Sequence, residues 1–160
     1  MAALHPDLTH VAPLLGTWSG VGRGEYPTIE PFAYHETITF SHVGKPFLAY
    51  VQRTRSLVDP PVPMHAESGY WRFPGPGRAE VVLCHPSGIT EIEEGTVLVE
   101  GGRITIGLTT TEVGLTSTAK EVTALARRIT IDGDDLAYEV EMAAVGQSLQ
   151  FHLAATLHRE

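Results

Sequence analysis

The sequence predicts an all-β protein whose strands close into a single antiparallel up-and-down β-barrel of about ten strands. Short segments of alternating apolar and polar residues, rich in β-branched and aromatic side chains, recur along most of the chain. Clusters of glycine, proline and aspartate separate these segments closely, as in antiparallel hairpins. No long segment has a convincing helical period. We prefer a barrel to a sandwich because closing the sheet removes its exposed edges.

The N-terminal residues predict one short helix or 3₁₀ turn before the barrel. The apolar positions Leu8, Val11 and Leu14 have mixed helical spacing. Pro6 stands where a first-turn proline is tolerated. A glycine-rich first strand is predicted over residues 15–22.

The other strands follow in order, and turn sequences divide them. Proline- and glycine-rich turns are predicted at residues 43–46, 59–63 and 74–77, and tight hairpin turns at 101–102 and 132–133. The predicted strands cover residues 34–40, 47–54, 65–73, 79–84, 88–99, 103–111, 120–131, 135–143 and 149–158.

Length and composition predict one domain over residues 1–160, large enough to bury a core without disulfides. The net charge of −8 argues against nucleic acid or an anionic membrane as a partner. No apolar run is long enough to span a bilayer, and residues 1–7 do not resemble a signal peptide. The single cysteine, Cys84, excludes an internal disulfide and fits a cytoplasmic location. We expect Cys84 to be a buried apolar residue.

The first predicted strand carries the pattern G-x-W-x-G-x-G over residues 16–22. Glycines allow close approach of neighbouring strands. Trp18 can plug one end of the barrel, with its indole N–H bound to a carbonyl oxygen. Lipocalins and fatty-acid-binding proteins place a similar pattern near their first strand, so it indicates that kind of barrel rather than a reaction.

The last predicted strand carries His152, which has few purely structural explanations in an all-β chain. Neutral imidazole is a common metal ligand, and a partly exposed barrel histidine is the alternative. Strict alternation puts His152 opposite a more apolar row: Phe151, Leu153 and Leu157. If His152 faces the interior, this row faces outward unless a β-bulge changes the alternation. An outward apolar row would predict a homodimer.

Further motifs stand in a fixed order between Gly16 and His158. They are Glu-Tyr-Pro-Thr-Ile at 25–29, Ser-His-Val-Gly-Lys-Pro at 41–46, Pro-Met-His-Ala-Glu-Ser-Gly-Tyr at 63–70, Ser-Gly-Ile-Thr-Glu at 87–91 and Ala-Lys at 119–120. With the first-strand pattern and the C-terminal histidine, they resemble the nitrobindin family over nearly the whole chain. Nitrobindins are small β-barrels that hold a haem b through one C-terminal histidine.

The resemblance implies that His152 is the proximal axial ligand of one haem b per chain. It implies binding of nitric oxide at ferrous iron and isomerisation of peroxynitrite to nitrate at ferric iron. The expected partners are therefore these small molecules. Two alternatives stay open: a lipocalin-like or fatty-acid-binding-like carrier of an apolar ligand, and a haem transporter or sensor without turnover.

The resemblance also implies that Met64, His65, His85 and Met142 line the haem cavity. Met64 and Met142 would form part of the apolar, polarisable wall of the cavity. The alternative for both residues is an ordinary position in the hydrophobic core. His65 and His85 could each be cavity wall, a distal hydrogen-bond donor or a solvated loop residue.

Thr28 and Lys120 are expected to hold the haem edge. A hydroxyl or an ammonium group near a haem propionate makes a charge-assisted hydrogen bond. For Lys120 a solvated surface position is the favoured alternative.

Motifs for other chemistries are absent. The sequence has no His-Glu-x-x-His motif and no cysteine pair, so standard zinc patterns are missing. It also has neither a Gly-x-Ser-x-Gly elbow nor a P-loop. We interpret Glu91, Glu93 and Glu94 as a solvated face rather than a paired-carboxylate site.

Overall fold

A computed structural model describes all 160 residues as a closed barrel of ten antiparallel strands preceded by one 3₁₀ helix. The helix covers Pro6–Leu14, and the strands are β1 Gly16–Tyr26, β2 Ile29–Ser41, β3 Phe47–Arg55, β4 Pro63–Arg72, β5 Arg78–His85, β6 Ile89–Glu100, β7 Arg103–Leu115, β8 Val122–Asp132, β9 Asp135–Ala144 and β10 Gln150–Arg159. Each strand pairs with its neighbours in the chain, and β1 also pairs with β10. The predicted all-β, up-and-down barrel is confirmed. No helix has the length and apolarity needed to cross a membrane.

The first hairpin is longer than the sequence predicts. β1 continues to Tyr26, and β2 already begins at Ile29. Gly22 permits this close pairing, because a Cβ atom at that position would lie 2.4 Å from the ring of Tyr34. Tyr34 is thereby held against β1 and reaches into the barrel.

The N-terminal helix closes one end of the barrel. Its apolar side chains are fully buried against the barrel: Leu8, Val11 and Leu14. Trp18 of β1 is fully buried as well. The indole N–H of Trp18 donates to the carbonyl oxygen of Leu14 at 2.9 Å, and the Arg159 guanidinium lies 4.2 Å from the centre of the Trp18 ring. The predicted role of Trp18 as a plug with a satisfied N–H is confirmed.

The interior consists of two apolar regions separated by a polar layer. The larger apolar cluster lies at the plugged end, and a smaller one at the opposite end contains Tyr26, Val122, Leu125, Val140 and Ala144. On β8, Arg127 stands between Leu125 of the small cluster and Ile129 of the large one. A charged layer therefore crosses the barrel between its plugged floor and its open end.

A β-bulge changes the alternation of β10. The pairing of β10 with β9 shifts register between Phe151 and Leu153, so that His152 is the extra residue. His152 and Leu153 both line the interior, and Leu157 is fully buried. The expectation of an outward row is therefore wrong for Leu153 and Leu157, and the bulge alternative is confirmed. Phe151 alone remains outside, with the Arg23 guanidinium 4.6 Å from its ring centre.

Cys84 is exposed, so the expectation that it is buried is wrong. β5 alternates strictly, with Ala79, Val81 and Leu83 inside and Cys84 outside. Its Sγ atom lies 3.6 Å from the hydroxyl of Ser68 on the neighbouring strand. The apolar residues next to Cys84 in the sequence did not reveal on which face of β5 the thiol lies.

Candidate functional site

The open end of the barrel leads into a cavity of about 350 Å³. This volume lies within the range of small-molecule sites, roughly 300–1,000 Å³. Met64 and His65 stand partly exposed at its mouth, with 45% and 41% exposure. Its upper wall is largely apolar: Phe32, Ile89, Val122, Leu125, Val140 and Leu153.

His152 faces this cavity from the bulge in β10. Its Nδ1 atom lies 3.2 Å from the carbonyl oxygen of Glu25. Because a carbonyl oxygen can only accept, Nδ1 carries the hydrogen and Nε2 keeps a free lone pair. The ring of Tyr26 packs edge-on against the imidazole at 5.4 Å and fixes its orientation.

Burial lowers the pKa of His152, and the hydrogen bond to the Glu25 carbonyl opposes this shift. The imidazole is therefore neutral at pH 7, as a metal ligand must be. A neutral ring with a fixed tautomer on a rigid strand is suited to bind one axial position of a haem iron.

The structure brings five of the predicted site residues together around one cavity: His152, Met64, His65, His85 and Met142. It therefore excludes a loop position for His85, which is only 9% exposed and lies at the end of β5.

Thr28 and Lys120 do not line the cavity. Both are exposed, Thr28 in the turn between β1 and β2 and Lys120 in the loop before β8. Thr28 follows Tyr26 by two residues, and Lys120 precedes the cavity residue Val122 by two residues.

A buried charge cluster below this wall was missed by the sequence analysis. Arg127 binds the carboxylate of Glu67 through two contacts of 2.8 and 3.2 Å. The same guanidinium lies 2.8 Å from a carboxylate oxygen of Glu91 and 2.8 Å from one of Glu93. We call these four residues the Arg127 cluster.

The interpretation of Glu91 and Glu93 as a solvated face is wrong, because both side chains are 0% exposed. Two residues apart on β6, they share the inward face, while Glu94 points outward and pairs with Arg78 at 2.9 Å. The alternation was visible in the sequence. The partner was not, since Arg127 comes from β8, which is distant in the chain.

The groups of the Arg127 cluster do not all carry charge. Burial, which outweighs the attraction of Arg127, raises the pKa of Glu93 to about 8, and the neighbouring Glu91 adds to the shift. The pKa of Glu91 lies below its usual value although burial opposes this, because Arg127 and His85 stabilise its charge. At pH 7 Glu93 therefore holds a proton while Glu91 is ionised.

Glu36 of β2 is the centre of a second buried polar group that lines the cavity. One of its carboxyl oxygens accepts hydrogen bonds from Gln52 Nε2 and from the Tyr138 hydroxyl, each at 2.7 Å. Tyr138 is in turn 2.8 Å from the hydroxyl of Tyr34. Burial raises the pKa of Glu36 to about 7, and the hydrogen bonds from Tyr138 and Gln52 only partly offset it.

Replacing Glu36 with glutamine is expected to stabilise the protein more at pH 8 than at pH 5. In the fold, Glu36 keeps its proton up to about pH 7, whereas its usual pKa is 4.5. Its contribution to stability is therefore complete below pH 4.5 and declines as the pH rises through 7. Glutamine has no charge to bury. The free energy of unfolding of the variant, relative to that of wild type, should therefore rise by an amount on the order of 2 kcal/mol between pH 5 and pH 8. Urea unfolding of the full chain at both pH values measures this difference.

Glu30→Gln is the matched control, because Glu30 lies on the same strand and is exposed. It should show no growth of the stability difference between the two pH values. An equal response of the two variants would contradict a neutral, buried Glu36.

Comparison with known proteins agrees with this geometry. A family model described as the THAP4-like, heme-binding beta-barrel domain matches residues 7–159. Peroxynitrite isomerase 1 of Mycolicibacterium paratuberculosis is 65% identical over 157 residues, which cover 98% of this chain and 97% of that protein. Peroxynitrite isomerase of Nocardia farcinica is 54% identical over 158 residues, which cover 99% of this chain and 94% of that protein.

The crystal structure of Rv2717c from M. tuberculosis has the same fold. It superposes with a TM-score of 0.97 at 56% sequence identity, and the alignment covers 99% of each chain. The family prediction made from the sequence motifs is confirmed. With a family-model match over nearly its whole length and relatives of high identity, the chain belongs to the THAP4-like, heme-binding β-barrel family, the nitrobindins.

Proposed function

We propose that this protein binds one haem b through His152 and isomerises peroxynitrite to nitrate, and that it binds nitric oxide when the iron is ferrous. The observation that carries the proposal is the neutral imidazole of His152, held by Glu25 and facing an apolar cavity. The relatives named peroxynitrite isomerase, at 54% and 65% identity over nearly the full chain, support the same activity.

The bound haem would supply an iron that acts as a Lewis acid towards the anionic oxidant. His152 would hold the haem iron through its free Nε2 atom. The apolar wall, including Val140 and Leu153, keeps water away from the reacting groups. The enclosed cavity would keep the oxidant and its products close together. No side chain is needed as a general acid or base in this scheme.

Thr28 and Lys120 keep the role that the resemblance implies. Both are exposed polar groups, and each lies within two residues of Tyr26 or Val122 at the open end. We propose that the Thr28 hydroxyl and the Lys120 ammonium bind haem propionates by charge-assisted hydrogen bonds.

Stopped-flow decay of peroxynitrite tests the activity. Ferric, haem-loaded protein is expected to accelerate the decay and to raise the yield of nitrate over that of buffer. His158→Ala is a matched control, because His158 lies on the same strand but is exposed and paired with Asp135. Normal haem loading without any acceleration would contradict the isomerase and leave only a binding protein.

A carrier of apolar ligands would use the same cavity without needing His152. The apolar wall supports this second function, whereas the fixed imidazole tautomer does not contribute to it. Haem binding that is indifferent to replacement of His152 would favour the carrier.

The homodimer and the cytoplasmic location remain predictions. The bulge removes the sequence argument for a homodimer, because Leu153 and Leu157 face inward. Light scattering at micromolar concentration distinguishes a dimer from a monomer.

A further inference from the structure

Three potential ligand atoms converge on one side of the cavity, on the paired strands β4 and β5. His65 Nε2 lies 3.0 Å from His85 Nδ1. The Oε2 atom of Glu67 lies 3.5 Å from His85 Nδ1 and 4.0 Å from His65 Nε2. Two imidazoles and one carboxylate therefore form a compact triangle, which we call the His65–Glu67–His85 triad.

The size of this triangle suits a small divalent cation. Zinc binds nitrogen and carboxylate oxygen at about 2.0–2.2 Å, so tetrahedral ligand atoms are roughly 3.3–3.6 Å apart. The three distances of 3.0, 3.5 and 4.0 Å scatter around that value. Adjustments of a few tenths of an ångström would make the triangle regular.

A carboxylate behind the ring already orients His85. The Nε2 atom of His85 is hydrogen-bonded to the carboxylate of Glu91. The carboxylate of Glu91 can accept the Nε2 hydrogen, and Nδ1 is then the ring nitrogen that faces the triangle. A carboxylate behind a ligating histidine is the usual arrangement of zinc sites.

His65 Nε2 and His85 Nδ1 share a hydrogen bond, and a bound metal ion would replace the hydrogen between these two atoms. Burial lowers the pKa of His65, although Glu67 opposes the shift, so its ring is neutral at pH 7. The pKa of Glu67 is lowered despite its burial, because Arg127 stabilises its charge. Glu67 Oε1 accepts from Tyr50 and Arg127 at 2.8 Å each, whereas Oε2 has the longer Arg127 contact of 3.2 Å. Oε2 is thus the oxygen with coordinating capacity left.

Charge and access favour a cation here. Around the triad, the ionised carboxylates of Glu67 and Glu91 carry two negative charges against the single positive charge of Arg127, while Glu93 is neutral. His65 is 41% exposed at the mouth and offers an entry path from solvent. All three residues of the triad line the cavity, so a bound ion would be accessible from it.

We propose that His65, Glu67 and His85 form a binding site for a divalent transition-metal ion of the zinc class, separate from the haem ligand His152. Two histidines and one carboxylate with an open position are typical of catalytic rather than purely structural zinc sites. The mixed nitrogen and oxygen donors favour such an ion over calcium or magnesium. The ligands come from two strands 20 residues apart in sequence, which is why no zinc motif is visible.

Isothermal titration of the full chain with zinc chloride, in a buffer that does not bind metal, tests the site. We expect one zinc ion per chain and a Kd in the micromolar range or lower. His65→Ala and His85→Ala should each weaken binding by more than about 100-fold, because losing even a residue that only hydrogen-bonds to a metal ligand costs about 10–100-fold. His158→Ala, which removes an exposed histidine paired with an aspartate, should leave binding unchanged.

Crystals soaked with zinc and measured at the zinc absorption edge give a second readout that needs no variant. An anomalous peak between His65 Nε2, His85 Nδ1 and Glu67 Oε2 would support the site even if His85→Ala fails to fold. A peak elsewhere, or binding that both histidine variants leave intact, would overturn it. Neither measurement requires haem, so the result is independent of the proposed function.

Discussion

His152→Ala is expected to abolish stoichiometric haem binding. In the wild-type protein, titration with haemin should give a sharp Soret band and an endpoint of one haem per chain. The variant loses the only ligand that we assign to the iron, and affinity should fall by more than about 100-fold. Absorption titration of both proteins under identical conditions measures the change.

Two controls separate ligation from a folding defect. His158→Ala on the same strand should bind haemin like wild type, since His158 is exposed. Circular dichroism of His152→Ala should show the same β-barrel, because the ring faces the cavity and its one hydrogen bond is to the Glu25 carbonyl. A sharp one-to-one endpoint in His152→Ala would refute the proposed coordination.

Arg127→Met is expected to destabilise the barrel by about 3–5 kcal/mol, the usual cost of removing one partner of a buried ion pair. The guanidinium is 10% exposed and contacts Glu67, Glu91 and Glu93, all buried. Without it, the ionised carboxylates lie in the interior with no cation from Arg127 to offset them. Urea unfolding at pH 7 measures the free-energy difference.

Arg128→Met is the matched control, because Arg128 is the next residue on β8 and is exposed. It should change stability by no more than about 0.5 kcal/mol. The loss of stability in Arg127→Met, relative to wild type, should be smaller at low pH. Protonation of Glu67 and Glu91 there removes the negative charges that Arg127 compensates. Similar losses in both arginine variants would contradict the Arg127 cluster as a structural element.

The fold could be predicted closely because several independent features of the sequence indicated the same structure. Alternation, turn residues and the tryptophan pattern all indicated one closed antiparallel sheet, and the indole of Trp18 binds a carbonyl as expected. The first hairpin was underestimated, since its pairing depends on the fit of Gly22 against Tyr34 and not on local propensity. Side-chain fit between strands is invisible in a one-dimensional pattern.

The site was predictable in part. The resemblance to a family named His152 and four further residues that the structure brings to one cavity, and their roles towards haem stay predictions. Strict period-two reasoning failed at the bulge in β10, because a bulge is defined by the pairing with β9 and not by the sequence of one strand. The Arg127 cluster was missed because acidic residues are rarely buried unless paired, and the pairing partner lies on a distant strand.

The bulge at His152 has a consequence for how easily such a barrel gains or loses iron chemistry. Phe151 faces out and Leu153 faces in, so removing residue 152 alone would restore a regular pleat with every apolar side chain on its present face. A three-nucleotide deletion would therefore remove the proposed haem ligand and spare the scaffold, and the reverse insertion would restore it. The residue proposed to bind the cofactor is thus separate from the residues that build the regular pleat.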